Sequence, residues 1–336
     1  LARQRLEHRV AVLGELGERA VLRGEDREHV VEGLQRRVGL VRQHQDVEEI
    51  DVLERAFYNN ILAGVSADGR QFFQCNPMTS YPYYSPYVRW NGILADEHYR
   101  RVDWIDCACC PTNLVRAVAS VNGYVYAATA DTVFVNLYAS SVARVTVGGA
   151  HVMLEQRTDY PWEGAIELEV RADAPAIFTL ALRIPGWCND FTLAVNGSGV
   201  AASPDDGYVR LNREWTPGDT VQLTLVMPIE RMRAHPAIRQ SAGQVALQRG
   251  PVVYCAEEVD NGPRLANLLL PRSAGLTATR DPKLFGGMTT IKGHALRAEP
   301  TEWPGGLYQP EQDVPYEHRG QPFTAVPYAF WANRAP

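Results

Sequence analysis

From Gly123 to Cys255 the chain is written in short segments that alternate apolar and polar residues or form brief branched runs. Gly, Pro, Asn and Asp separate them. That pattern has a period of two and admits little besides half-buried β-strands. It predicts strands at Tyr124–Ala128, Thr132–Tyr138, Ala143–Val147, Val152–Gln156, Ile166–Val170 and Phe178–Ile184. Further strands are expected at Phe191–Val195, Tyr208–Leu211, Thr220–Leu225, Val245–Leu247 and Val252–Cys255. Many short strands at regular spacing imply packed antiparallel sheets. Arg231–Gln240 reads as a break between one sandwich and a second β region. The tail from about Asn261 is rich in Pro and Gly, with fewer clear strands.

The stretch ahead of Gly123 has a different texture. Residues 1–56 contain no aromatic residue and no Ser, Thr, Pro, Asn, Cys, Met or Lys. A charged helix is one reading. Translation of a GC-rich gene in a neighbouring frame is the other, because natural helix caps draw on Ser, Thr, Asn and Asp. At about Asp51 the text becomes ordinary. Val52–Leu62 reads as a helix with Val52, Leu53, Ala56, Phe57, Ile61 and Leu62 as its apolar residues. Asp68-Gly69 marks a tight turn, and Gln71–Cys75 a short extended piece. Residues 77–90 alternate Pro with Tyr and form a loop.

Chemistry concentrates in Cys107-Ala-Cys-Cys-Pro-Thr-Asn, which holds three of the six cysteines. Irregular spacing argues against a disulfide framework, and adjacent cysteines bridge each other only with strain. Buried packing, a soft-metal site and a nucleophile all remain open from the residues alone. Pro111 is expected to hold Cys110 extended, with Thr112 or Asn113 capping a helix over Leu114–Val121. The thiols would then sit just ahead of a helix N-terminus, where negative charge is favoured. Cys75 and His98 are the nearest further metal-ligand types.

Composition narrows the partners. A net charge of −6 without a basic tract past the first segment argues against nucleic acid. No apolar run is long enough to span a membrane. The cysteine usage and the lack of a secretion-type start lead to a cytoplasmic expectation.

Several stretches then become familiar. Leu53-Glu-Arg-Ala-Phe-Tyr-Asn-Asn-Ile-Leu-Ala, Asp68-Gly-Arg, the Cys107–Asn113 motif and Gly123-Tyr-Val-Tyr resemble glycoside hydrolase family 127, the β-L-arabinofuranosidase family. Arg183-Ile-Pro-Gly-Trp, Arg249-Gly-Pro-Val-Val-Tyr and Trp331-Ala-Asn-Arg extend the resemblance from about residue 51 to the end. It implies an α+β multidomain chain, with the C-terminal remnant of an (α/α)6 barrel followed by antiparallel β-sandwich domains. The expected layout is 1–50 anomalous, 51–122 barrel, 123–230 first sandwich and 231–336 a second, incomplete sandwich.

The resemblance also implies a retaining hydrolase that releases terminal β-L-arabinofuranose through a covalent glycosyl-cysteine. Cys109 matches the nucleophile and a zinc ligand, and Cys110 the second thiolate ligand to zinc. An arabinose-containing oligosaccharide or glycoconjugate is the implied partner, and a homodimer is compatible with it. The family's upstream Glu-x-Cys motif is absent before residue 51, and Gln74 stands where a Tyr is expected. Glu97 and Asp106 flank the cluster without a family role. The chain as written is therefore expected to be catalytically incompetent. The competing expectation is a non-catalytic carbohydrate-binding or structural β-sandwich protein with a vestigial cysteine site. Trp162, Trp187 and Trp215 would be its stacking candidates, against the plainer reading of Trp187 and Trp215 as core or turn residues.

Overall fold

The computed structural model describes residues 47–73, 101–104, 109–300, 303, 305–314 and 316–334. Residues 1–46, the Tyr-Pro loop, Gln74, Cys75, Glu97, His98, Asp106 and Cys107 lie outside the described residues.

The fold is mixed α/β and dominated by sheets. Helix α1 (Val47–Arg55) continues into a π-helical turn (Ala56–Ile61) and a short 3-10 turn (Leu62–Gly64). Its buried residues are Ile50, Glu54, Asn59 and Ala63, spaced four, five and four apart. Four-residue steps keep an α-helix on one face, and the five-residue step is absorbed by the wider π-turn. The expected apolar residues are not the ones fully buried: Val52 is 46% exposed, Leu53, Ala56, Phe57, Ile61 and Leu62 are half-buried, and two of the four buried residues are polar. The expected Asp68-Gly69 turn is present, with Gly69 at φ 75° and its N–H donating to Ser66 C=O.

Helix α2 (Cys109–Ser120) and a single helical turn α3 (Asn122–Val125) lead into the strands. The turn occupies the start of the expected strand Tyr124–Ala128, leaving β1 as Tyr126–Ala128. The next strands are β2 (Thr132–Val135), β3 (Ser141–Val147), β4 (Ala150–Thr158), β5 (Ala165–Ala172) and β6 (Ala176–Arg183). They are followed by β7 (Phe191–Val195), β8 (Ser198–Gly199), β9 (Tyr208–Trp215) and β10 (Thr220–Leu225).

These strands form a four-stranded sheet, β1-β2-β6-β9, and a six-stranded sheet, β3-β4-β5-β10-β7-β8. One core joins the inner faces, with Val133, Phe178, Leu180 and Trp215 from the first sheet and Leu154, Leu168, Val221 and Leu223 from the second. Along β4, β5 and β10 inner-face residues alternate with outward ones, as the sequence pattern requires, whereas β6 is buried on both faces from Phe178 to Arg183. The pairing is not wholly antiparallel: β2 and β6 run parallel. The chain leaves β2, builds β3–β5 in the facing sheet, and returns in the same direction, the long connection that parallel pairing needs.

The remaining strands are β11 (Ile229–Met232), β12 (Ala246–Arg249), β13 (Val252–Ala256), β14 (Leu268–Leu269), β15 (Leu276–Asp281), β16 (Met288–Pro300) and β17 (Tyr316–Pro327). A short helix, α4 (Glu258–Asn261), follows β13. Where a second sandwich was expected, these strands are hydrogen-bonded into one seven-stranded sheet, β11-β12-β13-β17-β16-β14, with β15 also on β16. The sheet curls. Arg231 on β11 donates to the carbonyls of Leu270, Pro271 and Ala274, between β14 and β15. The tail is richer in strand than its Pro and Gly content suggests, since β16 and β17 are 13 and 12 residues long. Ladder pairing over that length overrides weak local propensity.

The helical stretch ties the two β regions together. Asn59 Nδ2 donates to Pro251 C=O at 2.7 Å, and Val253 N–H donates to Asn59 Oδ1 at 2.7 Å. Arg101 donates to Ala63 C=O at 2.9 Å and to Trp331 C=O, while its guanidinium lies over the Phe73 ring at 4.7 Å. The Phe73 and Trp331 rings stack at 4.6 Å. Among the described residues no helix is long and apolar enough to cross a membrane.

Candidate functional site

Cys109 and Cys110 open helix α2 instead of preceding it. Pro111 does not hold Cys110 extended. A proline in the first turn loses no intrahelical hydrogen bond, because the N–H groups there have no partner four residues back. The expected cap is also replaced. Thr112 Oγ1 and Asn113 Nδ2 donate back to Cys109 C=O, at 3.1 and 2.8 Å, and so fix the backbone that carries the first thiol.

Leu114 seats the helix. A Cβ on Gly64 would lie 3.2 Å from Leu114 Cδ1, so the first turn of α2 abuts the end of the 3-10 turn where glycine leaves room. Cys109 is exposed and Cys110 half-buried, with their Sγ atoms 3.7 Å apart. Helix α2 has no fully buried residue among those described; Val115 is 59% and Val118 42% exposed.

The other described thiols are different. Cys188 donates to Asp190 C=O at 3.1 Å and is buried. Desolvation, joined at Cys255 by the nearby Glu257 carboxylate, pushes both Cys188 and Cys255 up from the ordinary thiol range. Their thiols are protected and packed, whereas Cys109 and Cys110 are at a surface and at a helix end that favours anions.

Two thiolates on one tetrahedral zinc, at about 2.3 Å each, stand about 3.8 Å apart. The 3.7 Å separation therefore fits two corners of such a shell. Among the described residues no group of three or more His, Cys, Asp and Glu is gathered to complete one. The pair fits half a site, and the described residues do not close it.

Sequence reasoning missed a second polar centre. Arg183, at the end of β6, is fully buried. It donates to Asn136 C=O and pairs with Asp51 and Glu54 of α1. Glu54 also accepts from Tyr160 OH at 2.6 Å and from Trp187 Nε1 at 3.3 Å. Asp51 accepts from Gly186 N–H at 2.8 Å, in a gap a Cβ on Gly186 would fill. Tyr208 OH donates to Asn136 Oδ1 at 2.7 Å, and burial pushes that phenol up to about 12. Glu54, Arg183 and Trp187 all lie in the stretches that carried the resemblance, but nothing in the sequence joins them into one cluster.

The stacking tryptophans are answered by burial. Trp215 is 0% and Trp187 8% exposed, so neither offers a face to a sugar. Trp162 is half-buried, packed on the core of the curled sheet, with Arg280 over its ring at 5.8 Å.

Three family models tile the chain. Residues 31–123 match the GH127 β-L-arabinofuranosidase catalytic domain, 132–227 its middle domain, and 229–336 the glycoside hydrolase family 127 C-terminal domain. The catalytic match contains both thiols and begins ahead of residue 51, inside the stretch of unusual composition. A curated relative, the non-reducing end β-L-arabinofuranosidase of Bifidobacterium longum subsp. longum, is 36% identical over 304 residues, covering 85% of this chain and 44% of its own length. The crystal structure of Ara127N-Se, a GH127 β-L-arabinofuranosidase from Geobacillus stearothermophilus T6, superposes with a TM-score of 0.79 at 41% identity. That match covers 88% of this chain and 46% of the other. A further GH127 β-arabinofuranosidase structure gives 0.76 at 34% identity, over 88% of this chain and 45% of the other. The chain thus spans a little under half the length of these relatives, and it belongs to glycoside hydrolase family 127.

Proposed function

We propose that this chain carries the thiol half of a retaining glycosidase site that releases terminal β-L-arabinofuranose, with Cys109 as nucleophile. The observation that supports the reading most is the surface pair of thiols, 3.7 Å apart in the first turn of α2, inside the stretch matched by the family's catalytic domain. In the first step the Cys109 thiolate attacks the anomeric carbon, and a C–S bond forms as the glycosidic C–O bond breaks. The leaving oxygen takes a proton from a carboxylic acid. In the second step water displaces the thiolate and restores the starting configuration at that carbon.

Cys109 and Cys110 would hold a zinc ion, whose contribution when bound is to keep the attacking sulfur ionised. Exposure suits Cys109 to meet a substrate, and the half-buried Cys110 to act as an anchoring ligand. The bonds from Thr112 and Asn113 hold Cys109 in place. The stretches Val47–Gly64 and Cys109–Ser120 are read as parts of an (α/α)6 barrel, and the exposed Val115 and Val118 as its unfilled packing face. With no general acid and only two ligands assigned, the chain alone is expected to turn over slowly or not at all. The substrate class is an arabinose-containing oligosaccharide or glycoconjugate.

The test is covalent trapping. A β-L-arabinofuranose-configured epoxide, which a thiolate opens directly, should add once to the chain at Cys109 in the presence of zinc, as read by intact mass and peptide mapping. Cys109→Ser should abolish the adduct. Labelling that survives this change, or that falls on Cys188 or Cys255, overturns the assignment.

A further inference from the structure

An open groove of about 410 Å³ lies on the outer face of the six-stranded sheet, over β3, β4 and the end of β5. Its polar lining comes in two cross-strand rows. Strand register sets Arg144, Met153 and Arg171 side by side in the first. In the second, Thr146 lies opposite His151, and Asp173 follows β5 one place beyond the pair Val152–Ala172, next to His151. Alternation along β3, β4 and β5 turns Arg144, Thr146, His151, Met153 and Arg171 to the same face, and Asp173, just past β5, joins them in lining the groove.

The two arginines are not equivalent. Arg171 is held by Glu155 and Glu169, each at 2.7 Å. Arg144 is exposed and meets no carboxylate among the described residues. Its fork of donors stands open; its backbone lies about 10 Å from that of Arg171, across two strand spacings, with Met153 as an apolar floor between them. Thr146 Oγ1 and His151 Nδ1 lie 3.1 Å apart, and with Asp173 they supply donors and acceptors for hydroxyl groups beside that fork.

We propose that this groove is a second carbohydrate site, separate from the thiols, which takes a short chain of carboxylate-bearing sugars. The uronate carboxylate pairs bidentately with Arg144, one ring lies on Met153, and Thr146, His151 and Asp173 meet the hydroxyls of the next unit. Asp173 repels a carboxylate at its own position, so the unit beside it turns its carboxylate away and presents its hydroxyl face there. The proposal rests on this groove alone and stands or falls independently of the cysteine chemistry.

The test is calorimetric titration of the 336-residue chain with trigalacturonate at low salt, with a neutral arabinotriose as comparison. Trigalacturonate should bind and arabinotriose should not. Arg144→Ala should weaken binding about tenfold, the contribution of one charge-assisted fork at an exposed site. Arg319→Ala, an exposed arginine on β17, should leave binding unchanged. No binding by the unaltered chain, equal binding of the neutral trisaccharide, or an Arg144→Ala variant that binds as well as the parent overturns the proposal. Complete competition by an equal concentration of acetate would reduce the groove to a simple anion site and overturn it equally.

Discussion

The two polar centres of this molecule are built on opposite plans. Around Arg183 the groups are answered: the buried guanidinium by the half-buried Asp51, by the buried Glu54 and by Asn136, and the Glu54 carboxylate by Tyr160 and Trp187 as well. Around Cys109 an exposed and a half-buried sulfur stand on a helix with no fully buried residue among those described. A closed, satisfied cluster holds a helix to a sheet. The two thiols belong to no such cluster among the described residues. Both centres come from stretches that look equally characteristic in sequence, so being characteristic does not by itself separate a structural joint from a reacting group.

The comparison can be broken most decisively at Arg183. Replacing it by Met leaves the buried Glu54 and the half-buried Asp51 without a cation. The expected cost is about 3–5 kcal/mol, a large share of the stability of an ordinary domain. Denaturant unfolding measures it. A loss below about 1 kcal/mol would mean that the helix is held chiefly by apolar contacts, on the scale of a single ordinary hydrogen bond.

Asn59→Ala tests the second joint. It strands Pro251 C=O and Val253 N–H together, for an expected loss of about 1–3 kcal/mol. Amide exchange of Val253 should accelerate with it. An unchanged exchange rate would show that water replaces the side chain without effect.

Cys109→Ser should move stability by no more than about 0.5 kcal/mol, as surface substitutions do, while removing zinc uptake and the epoxide adduct. A large stability loss would place Cys109 with the structural centre and erase the contrast.

The smallest effect concerns Glu169. Hydrogen bonds from Arg171, then Arg157, hold its carboxyl at about 2, below the ordinary 4.5. A carboxyl lowered on folding contributes stability that is present above 4.5 and is lost as pH falls toward 2. Glu169→Gln should therefore flatten the acid limb of the stability curve slightly and leave neutral pH almost unchanged. The carboxyl is half-buried on the outer face of the sheet and within reach of solvent, so the effect is small.

What the sequence made legible divides along the same line. Period-two alternation placed the strands of the sandwich closely, Phe191–Val195 and Thr220–Leu225 among them. It could not show that β2 and β6 run parallel, because alternation is blind to strand direction. It underrated β16 and β17, whose Gly293, Gly320, Pro322 and Pro327 weaken local propensity while a long ladder sustains pairing. The two thiols were legible because clustered cysteines are rare, but their place in the first helical turn was not: Pro111 suggests an extended residue before it and is equally at home near a helix start. The Arg183 cluster was invisible as a cluster. Asp51 and Arg183 are 132 residues apart, and a charged residue on a mixed pattern reads as solvated until its partners are found.

The π-turn at Ala56–Ile61 sets the phase of everything after it. Its extra residue is what lets Glu54 face Arg183 while Asn59 faces the Pro251–Val253 hairpin. Removing one residue from that turn would convert it to plain α-helix and rotate all that follows by about 100°. The upstream helix would still engage the sandwich. Asn59, Ala63 and Gly64 would swing away from their partners, and the seat of Leu114 would go with them. The register of one helical turn, some fifty residues ahead of Cys109, is thus a timing element for the thiols: it sets where their helix is seated.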